Sequence, residues 1–339
     1  MPRNNKWLDL VKEEALEPGL PICDPHHHLW DLRPDAIEPR YLLENILEDT
    51  NGGHNIVSTV FIECHAMYKA DGPEAMKPVG EVEFVNGIAA MSASGLYGKT
   101  RVAAGIIGHA DLTRGAAAGE VLDALKAAGN GRFRGIRHAV AWDADPAIRN
   151  HRTNPPEHRY MDKKFREGFA QLGTRKMTFE GWCYMKQIGE LADLARAYPD
   201  TTIILNHFGG PLGQGSYEGK QKEVLDYWRK EIAELAKCRN VVAKLGGLNM
   251  DINGFHWHEQ KKPPTSQELI DATRPFFDYT IEKFGADRCM FESNFPVDKL
   301  SCSYNVVWNS FKRLTKDYSK SDKAKLYHDT AARVYGLGK

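Results

Sequence analysis

The stretch "ICDPHHHLWDL", residues 22–32, places His26, His27 and His28 in succession at the end of an apolar run. Along an extended strand alternate side chains point the same way, so His26 and His28 share one face and His27 takes the other. Two imidazoles on one face can surround a cation or address one substrate oxygen. Comparable residues end later apolar runs. Glu63, Cys64 and His65 close one, with Tyr68 just beyond, and His109 and Asp111 close another. Then come Arg137 with His138, Glu180 with Trp182 and Tyr184, Asn206 with His207, Lys244, and finally Glu292, Ser293 and Asn294. A single histidine in such a place is usually a hydrogen-bonded core residue. An H-x-H pair joined by a histidine from a distant run is better explained by chemistry.

The elements that must carry these residues can be read from periodicity. Eight short β-rich runs cover 21–30, 57–65, 101–112, 133–142, 177–185, 201–210, 240–248 and 288–297. Helical patterns fall between them, as at 80–94, 118–129, 188–198, 221–238 and 266–285. Strands alternating with helices imply βαβ units and a parallel sheet buried on both faces. Eight units fit a distorted (β/α)₈ TIM barrel better than an open sheet, and no GxGxxG follows the first strand. In such barrels chemistry gathers at the carboxyl ends of the strands, where the residues above lie. The polar segments 143–160 and 249–266 read as long βα loops, and loops of that length are usually functional. The 339 residues are read as one domain, 1–339.

Lys+Arg and Asp+Glu balance at 45 each, so no net field draws the chain to nucleic acid or anionic lipid. No apolar stretch is long enough to span a membrane and the N-terminal residues lack an apolar signal core. The six cysteines include no CxxC pair and read as buried, reduced thiols. The expectation is a cytoplasmic protein whose partner is a small-molecule substrate; the sequence leaves its oligomeric state open.

"DPHHHLWD", "LNHFGGP" and "MFESNFPVDK", in that order on the first, sixth and eighth strands, resemble the amidohydrolase superfamily, and most closely its lactonase branch. "RGIRHAVAWD" and "VAKLGGL" resemble the same branch, so the similarity runs from about residue 20 to 335. The resemblance implies that His26 and His28 are the H-x-H pair and His207 the sixth-strand histidine. It also implies an eighth-strand aspartate as general base, but this chain has Asn294 there. An amide accepts no proton at neutral pH.

Three routes stay open. A divalent metal, zinc best suited to imidazoles, could sit on His26, His28 and His207 and lower the pKa of bound water. A carboxylate could serve as base, Glu63 first, with Asp298 and Glu292 behind it; a strand-end glutamate equally often pairs with an arginine. The third route is metal-independent, with histidines carrying protons and Asn294 donating to water or carbonyl. For substrate binding, Arg137 and Lys244 offer cations, and His65, Tyr68 and Tyr184 offer polar or aromatic contacts, with Trp182, His256 and Trp257 as further wall candidates. The His256–His258 pair reads as part of a lid. The resemblance implies a hydrolase that opens a lactone, carried by a carboxylated catabolic intermediate or a sugar acid. The alternatives are an amide or C–N hydrolase, a decarboxylase, or an inactive ligand-binding barrel.

Overall fold

All eight runs form strands in a computed structural model, which describes residues 5–338. They are β1 (Pro21–His27), β2 (Asn55–Ile62), β3 (Arg101–Gly108), β4 (Phe133–Arg137), β5 (Thr178–Gly181), β6 (Ile203–Leu205), β7 (Val241–Leu245) and β8 (Cys289–Phe291). Each pairs in parallel with the next in chain order. A bridge between His27 and Phe295 and a 2.8 Å hydrogen bond from the His28 N–H to the Phe295 carbonyl tie the last strand to the first. The result is a nearly closed (β/α)₈ barrel.

The expected helices appear as Val79–Ala93, Ala118–Ala128, Ile188–Ala197, Gln221–Ala236 and Ser266–Phe284, and further ones run over Leu43–Thr50, Lys163–Thr174 and Tyr304–Leu314. The strands end several residues earlier than the apolar runs suggest. Glu63, His65, His109, His138, His207, Glu292 and Asn294 leave the ladder and enter loops, which frees their side chains to turn over the barrel mouth, whereas His26, Arg137, Glu180 and Lys244 stay within strands. The long loops hold no α-helix: 143–158 is irregular, and 249–265 contains short 3₁₀ turns at Asp251–Asn253 and Trp257–Glu259.

Side chains of alternating parity split the barrel into two cores. Cys23, Val60, Ile62, Ile204, Val242 and Met290 form one cluster with Ala331, Tyr335 and Leu337. Ile22, Phe61, Leu205, Ala243 and Phe291 belong to the larger cluster shared with the helices. On β1 the pairing register shifts between Asp24 and His27, around Pro25, a residue that cannot donate to the ladder. That irregularity is what lets Cys23 and His26 both face inward although they are three residues apart. His27 is left on the outer side, where its Nε2 lies 2.9 Å from Thr59 Oγ1.

The lower lumen holds a buried ion pair with its own hydrogen-bond donors. Lys244 Nζ lies 2.8 Å from Glu180 Oε2, both side chains being completely buried. Tyr335 O–H donates to Glu180 Oε1 at 2.5 Å, and Asn206 Nδ2 donates to Glu180 Oε2 at 2.5 Å. This corrects the expectation that Lys244 binds substrate: its partner is Glu180, because a buried ammonium needs a counter-charge within the protein. Among the described residues no helix is long and apolar enough to cross a membrane. All six cysteines are buried and free.

Candidate active site

Three strand ends, far apart in sequence, meet at one buried glutamate. His207 Nδ1 donates to Glu292 Oε1 at 2.7 Å, and His26 Nδ1 lies 2.8 Å from Glu292 Oε2. The His26 and His207 rings are 4.4 Å apart, and the His26 and His28 rings 5.0 Å apart and nearly perpendicular. The H-x-H pair and the sixth-strand histidine are therefore brought together.

Local backbone makes this possible. His207 and Asn294 both adopt left-handed conformations, with φ of 49° and 56°. A non-glycine residue there costs about 1–2 kcal/mol, and such strain persists where surrounding contacts over-determine it. The turn at His207 swings its ring back over Glu292 instead of letting it continue outward past β6. Room for the pair comes from the two glycines after β7. A Cβ on Gly247 would lie 2.2 Å from His207 Nδ1, and one on Gly246 would lie 2.5 Å from Glu292 Cγ. The sequence signal for this, "LGGL", was visible, but its purpose was not.

Around these inner rings lies a cavity of about 560 Å³, lined among others by His28, Trp30, Arg33, His65, Arg149, Arg152, Trp182, Tyr184 and Met250. His28 and Trp182 form the boundary with the inner rings; the Trp182 and His207 rings meet edge to face at 4.8 Å. Burial holds His26 well below the ordinary imidazole range, with Lys244 adding repulsion. Burial and then Arg137 do the same to His28. Both imidazoles are thus neutral at neutral pH.

Residues 23–337 match the model of the family described as Amidohydrolase. The chain belongs to this amidohydrolase family. An uncharacterised protein, y4mH, of Sinorhizobium fredii is 34% identical over 333 residues, which is 93% of this chain and 98% of that protein. L-fucono-1,5-lactonase of Burkholderia multivorans is 25% identical over 207 residues, 61% of this chain and 64% of the lactonase. The crystal structure of an amidohydrolase from Burkholderia multivorans with bound zinc shares the fold at a TM-score of 0.71 and 22% identity, covering 94% of this chain and 99% of that one.

Membership in the amidohydrolases frames the fate of the remaining expected residues. Asn294, in place of the aspartate that the resemblance implies, donates its amide N–H to Asp298 Oδ1 at 2.7 Å, and its backbone N–H donates to the His26 carbonyl at 3.0 Å. Asp298 Oδ2 accepts from the Asn249 N–H at 3.2 Å. Burial pushes the Asp298 carboxyl up to about 7 against these stabilising hydrogen bonds. Asp298 thus orients Asn294, and both of its oxygens are already engaged.

Glu63, the first expectation for a base, is clamped by Arg137. The guanidinium donates from Nε to Glu63 Oε1 at 2.7 Å and from Nη2 to the Glu63 carbonyl at 2.6 Å. Burial alone would raise the Glu63 carboxyl, but Arg137, followed by His65 and Arg152, holds it well below its usual value. A carboxylate so strongly held in its ionised form is a poor proton acceptor. The same pairing removes Arg137 from the substrate: it is buried and absent from the cavity wall, its remaining Nη1 lying 3.5 Å from His26 Nε2.

The cavity's cations are Arg33, Arg149 and Arg152, which sequence reasoning did not single out. Arg33 Nη2 and Arg152 Nη1 both donate to the Cys64 carbonyl. Neither guanidinium has a carboxylate partner among the described residues. The available signal was the basic run "RNHR" inside the long 143–160 loop. His65 and Tyr184 do line the cavity, and Tyr184 O–H donates to the Arg149 carbonyl at 2.5 Å. Tyr68 stacks behind His65, its ring 5.0 Å away, and does not reach the cavity. His256 and His258 pair with Glu259 and Asp251 outside the cavity wall, while Met250 and Ile252 of the same loop line it.

The expected metal set also changes in one member. Among the described residues the converging donors are His26, His207 and Glu292. His28 is not in that group; its Nδ1 lies 2.8 Å from the Ile62 carbonyl, which leaves its Nε2 with the lone pair. Two imidazoles and a carboxylate are a donor set suited to zinc, and Glu292 Oε2 is buried without a well-directed hydrogen bond. These residues therefore fit a divalent cation.

Proposed function

We propose that this amidohydrolase family member opens a lactone whose acyl portion carries, or on opening acquires, a carboxylate that docks against Arg33 and Arg152. The observation that carries the proposal is Glu292 bridging the His26 and His207 imidazoles directly beneath a cavity walled by guanidiniums without a carboxylate partner among the described residues. The 25% identity to a lactonase supports the same class of substrate.

In this reading His207 is the base. Its Nδ1–H is fixed on Glu292 Oε1, which leaves Nε2 with the lone pair. Water attacks the lactone carbonyl and gives its proton to Nε2. The imidazolium that forms is stabilised by the carboxylate 2.7 Å away, as in a histidine–carboxylate dyad. The tetrahedral intermediate collapses by breaking the ring C–O bond. The imidazolium returns the proton to the departing alkoxide, and the product is a hydroxy acid. Were a divalent cation held by His26, His207 and Glu292, His207 would be a ligand and not the base, and the cation would supply Lewis-acid polarisation of the carbonyl or a more acidic water. Asn294, held by Asp298, lines up beside the same strand end and can present its second amide N–H or its oxygen to the attacking water. Arg33 and Arg152 bind the anionic end of the substrate in a two-pronged grip suited to carboxylate.

The test is a panel of sugar-acid and carboxylated lactones assayed by proton release with a pH indicator. Ring opening by the wild type, lost in His207→Ala while the circular dichroism spectrum is kept, is the expected result. Silence across the panel, or full activity in His207→Ala, would overturn the proposal.

A further inference from the structure

We infer that the barrel mouth holds a second divalent-cation site, made by Glu63, His65 and His109 and separate from the His26–His207–Glu292 cluster. One ligand-type atom from each of the three lies within 4.8 Å of the others. They come from the ends of β2 and β3, on the far side of the Arg137 guanidinium from His26.

Three features point to a cation rather than to a hydrogen-bonded cluster. Glu63 Oε2 and His65 Nε2 are both buried and have no hydrogen-bond partner among the described residues. Leaving a carboxylate oxygen buried and unsatisfied is unfavourable, so its presence asks for an explanation. Second, those two atoms stand 3.6 Å apart. That is too long for a hydrogen bond, yet donors about 2.1 Å from a tetrahedral zinc are about 3.4 Å from each other. Third, His109 Nδ1 lies 2.9 Å from the Arg137 carbonyl. A carbonyl can only accept, so Nδ1 carries the proton and Nε2 keeps the lone pair. Metal-binding histidines are commonly oriented in this way. His65 itself is in a left-handed conformation, φ 60°, which aims its ring back toward Glu63.

Arg137 does not block the site. Glu63 gives Oε1 to the guanidinium and keeps Oε2 for the cation, so its charge already offsets that of Arg137. Affinity then comes from the two imidazoles, which favour zinc or cobalt over magnesium or calcium. His65 lines the cavity, while its Nε2 and Glu63 Oε2 are themselves buried, so a cation here would sit just behind the cavity wall.

The test is a titration of the metal-stripped His207→Ala/Glu292→Gln protein with Co²⁺ alone, followed by visible absorption. That variant lacks two donors of the other cluster. One equivalent of cobalt with d–d bands, displaced by Zn²⁺ and lost when His65→Ala is added, is the expected outcome. No bands, or bands that survive His65→Ala, would overturn the inference. Should the double variant fail to fold, wild-type crystals soaked in Zn²⁺ decide by anomalous diffraction. A peak among Glu63, His65 and His109 supports the site, and a sole peak at His26, His207 and Glu292 rejects it. Both readouts are independent of whether the substrate is a lactone.

Discussion

Glu63 and Glu292 make an informative pair. Both are fully buried glutamates just past a strand end, and both face the barrel mouth. Glu63 is matched by a guanidinium, which never gives up its proton, and Glu292 by two imidazoles, which readily exchange theirs. The first pairing fixes charge and shape. The second can move a proton between a reacting water and a leaving group. Burial is equal, so the difference in chemical capacity comes from the partner alone.

The sharpest way to break this comparison is Glu292→Gln. The amide preserves shape but removes the charge that stabilises a protonated His207, so kcat should fall by about 10³–10⁴-fold with little loss of stability. Steady-state kinetics on whichever lactone the panel identifies, with a urea melt alongside, measures both. Glu63→Gln should do the reverse. It leaves the Arg137 guanidinium buried without a counter-charge and should lower stability by about 3–5 kcal/mol in the urea melt. If the two variants exchanged these phenotypes, the assignment of roles would be wrong.

Gly247→Ala is a gentler probe of the Glu292 side. Its methyl would overlap His207 Nδ1 and push the ring off Glu292. A displacement of about 1 Å at a catalytic group costs roughly 10²-fold, seen in kcat with the fold retained. The smallest effect concerns protons outside the site. Burial lowers the His27 imidazole to about 3. The unfolded chain takes up that proton near pH 6.5 and the folded one does not, so stability is intact above about 6.5 and declines as pH falls toward 3. His27→Gln should flatten the slope of unfolding free energy between pH 6 and 4 by up to about 1.4 kcal/mol per pH unit.

The barrel was legible in the sequence because eight β-rich runs alternate with helices, a pattern that owes nothing to long-range contacts. The meeting of His26, His28 and His207 was legible through the family-like motifs and the two-residue strand period. The choice between Glu63 and Glu292 was not, because it depends on which cation each carboxylate meets across the lumen. Arg137 and Lys244 could be read equally as substrate-binding cations or as ion-pair partners for the same reason; Glu63 and Glu180, which they pair with, lie 74 and 64 positions away in the chain. Arg33 and Arg152 were overlooked because their shared acceptor is a backbone carbonyl, which has no sequence signature.

Tyr335 closes the floor of the barrel. Its hydroxyl completes the coordination of Glu180, beside the Lys244 ammonium, from the opposite end of the lumen to the cavity. The dry interior on which the proton chemistry above it relies is thus sealed by a side chain that belongs to none of the eight strands.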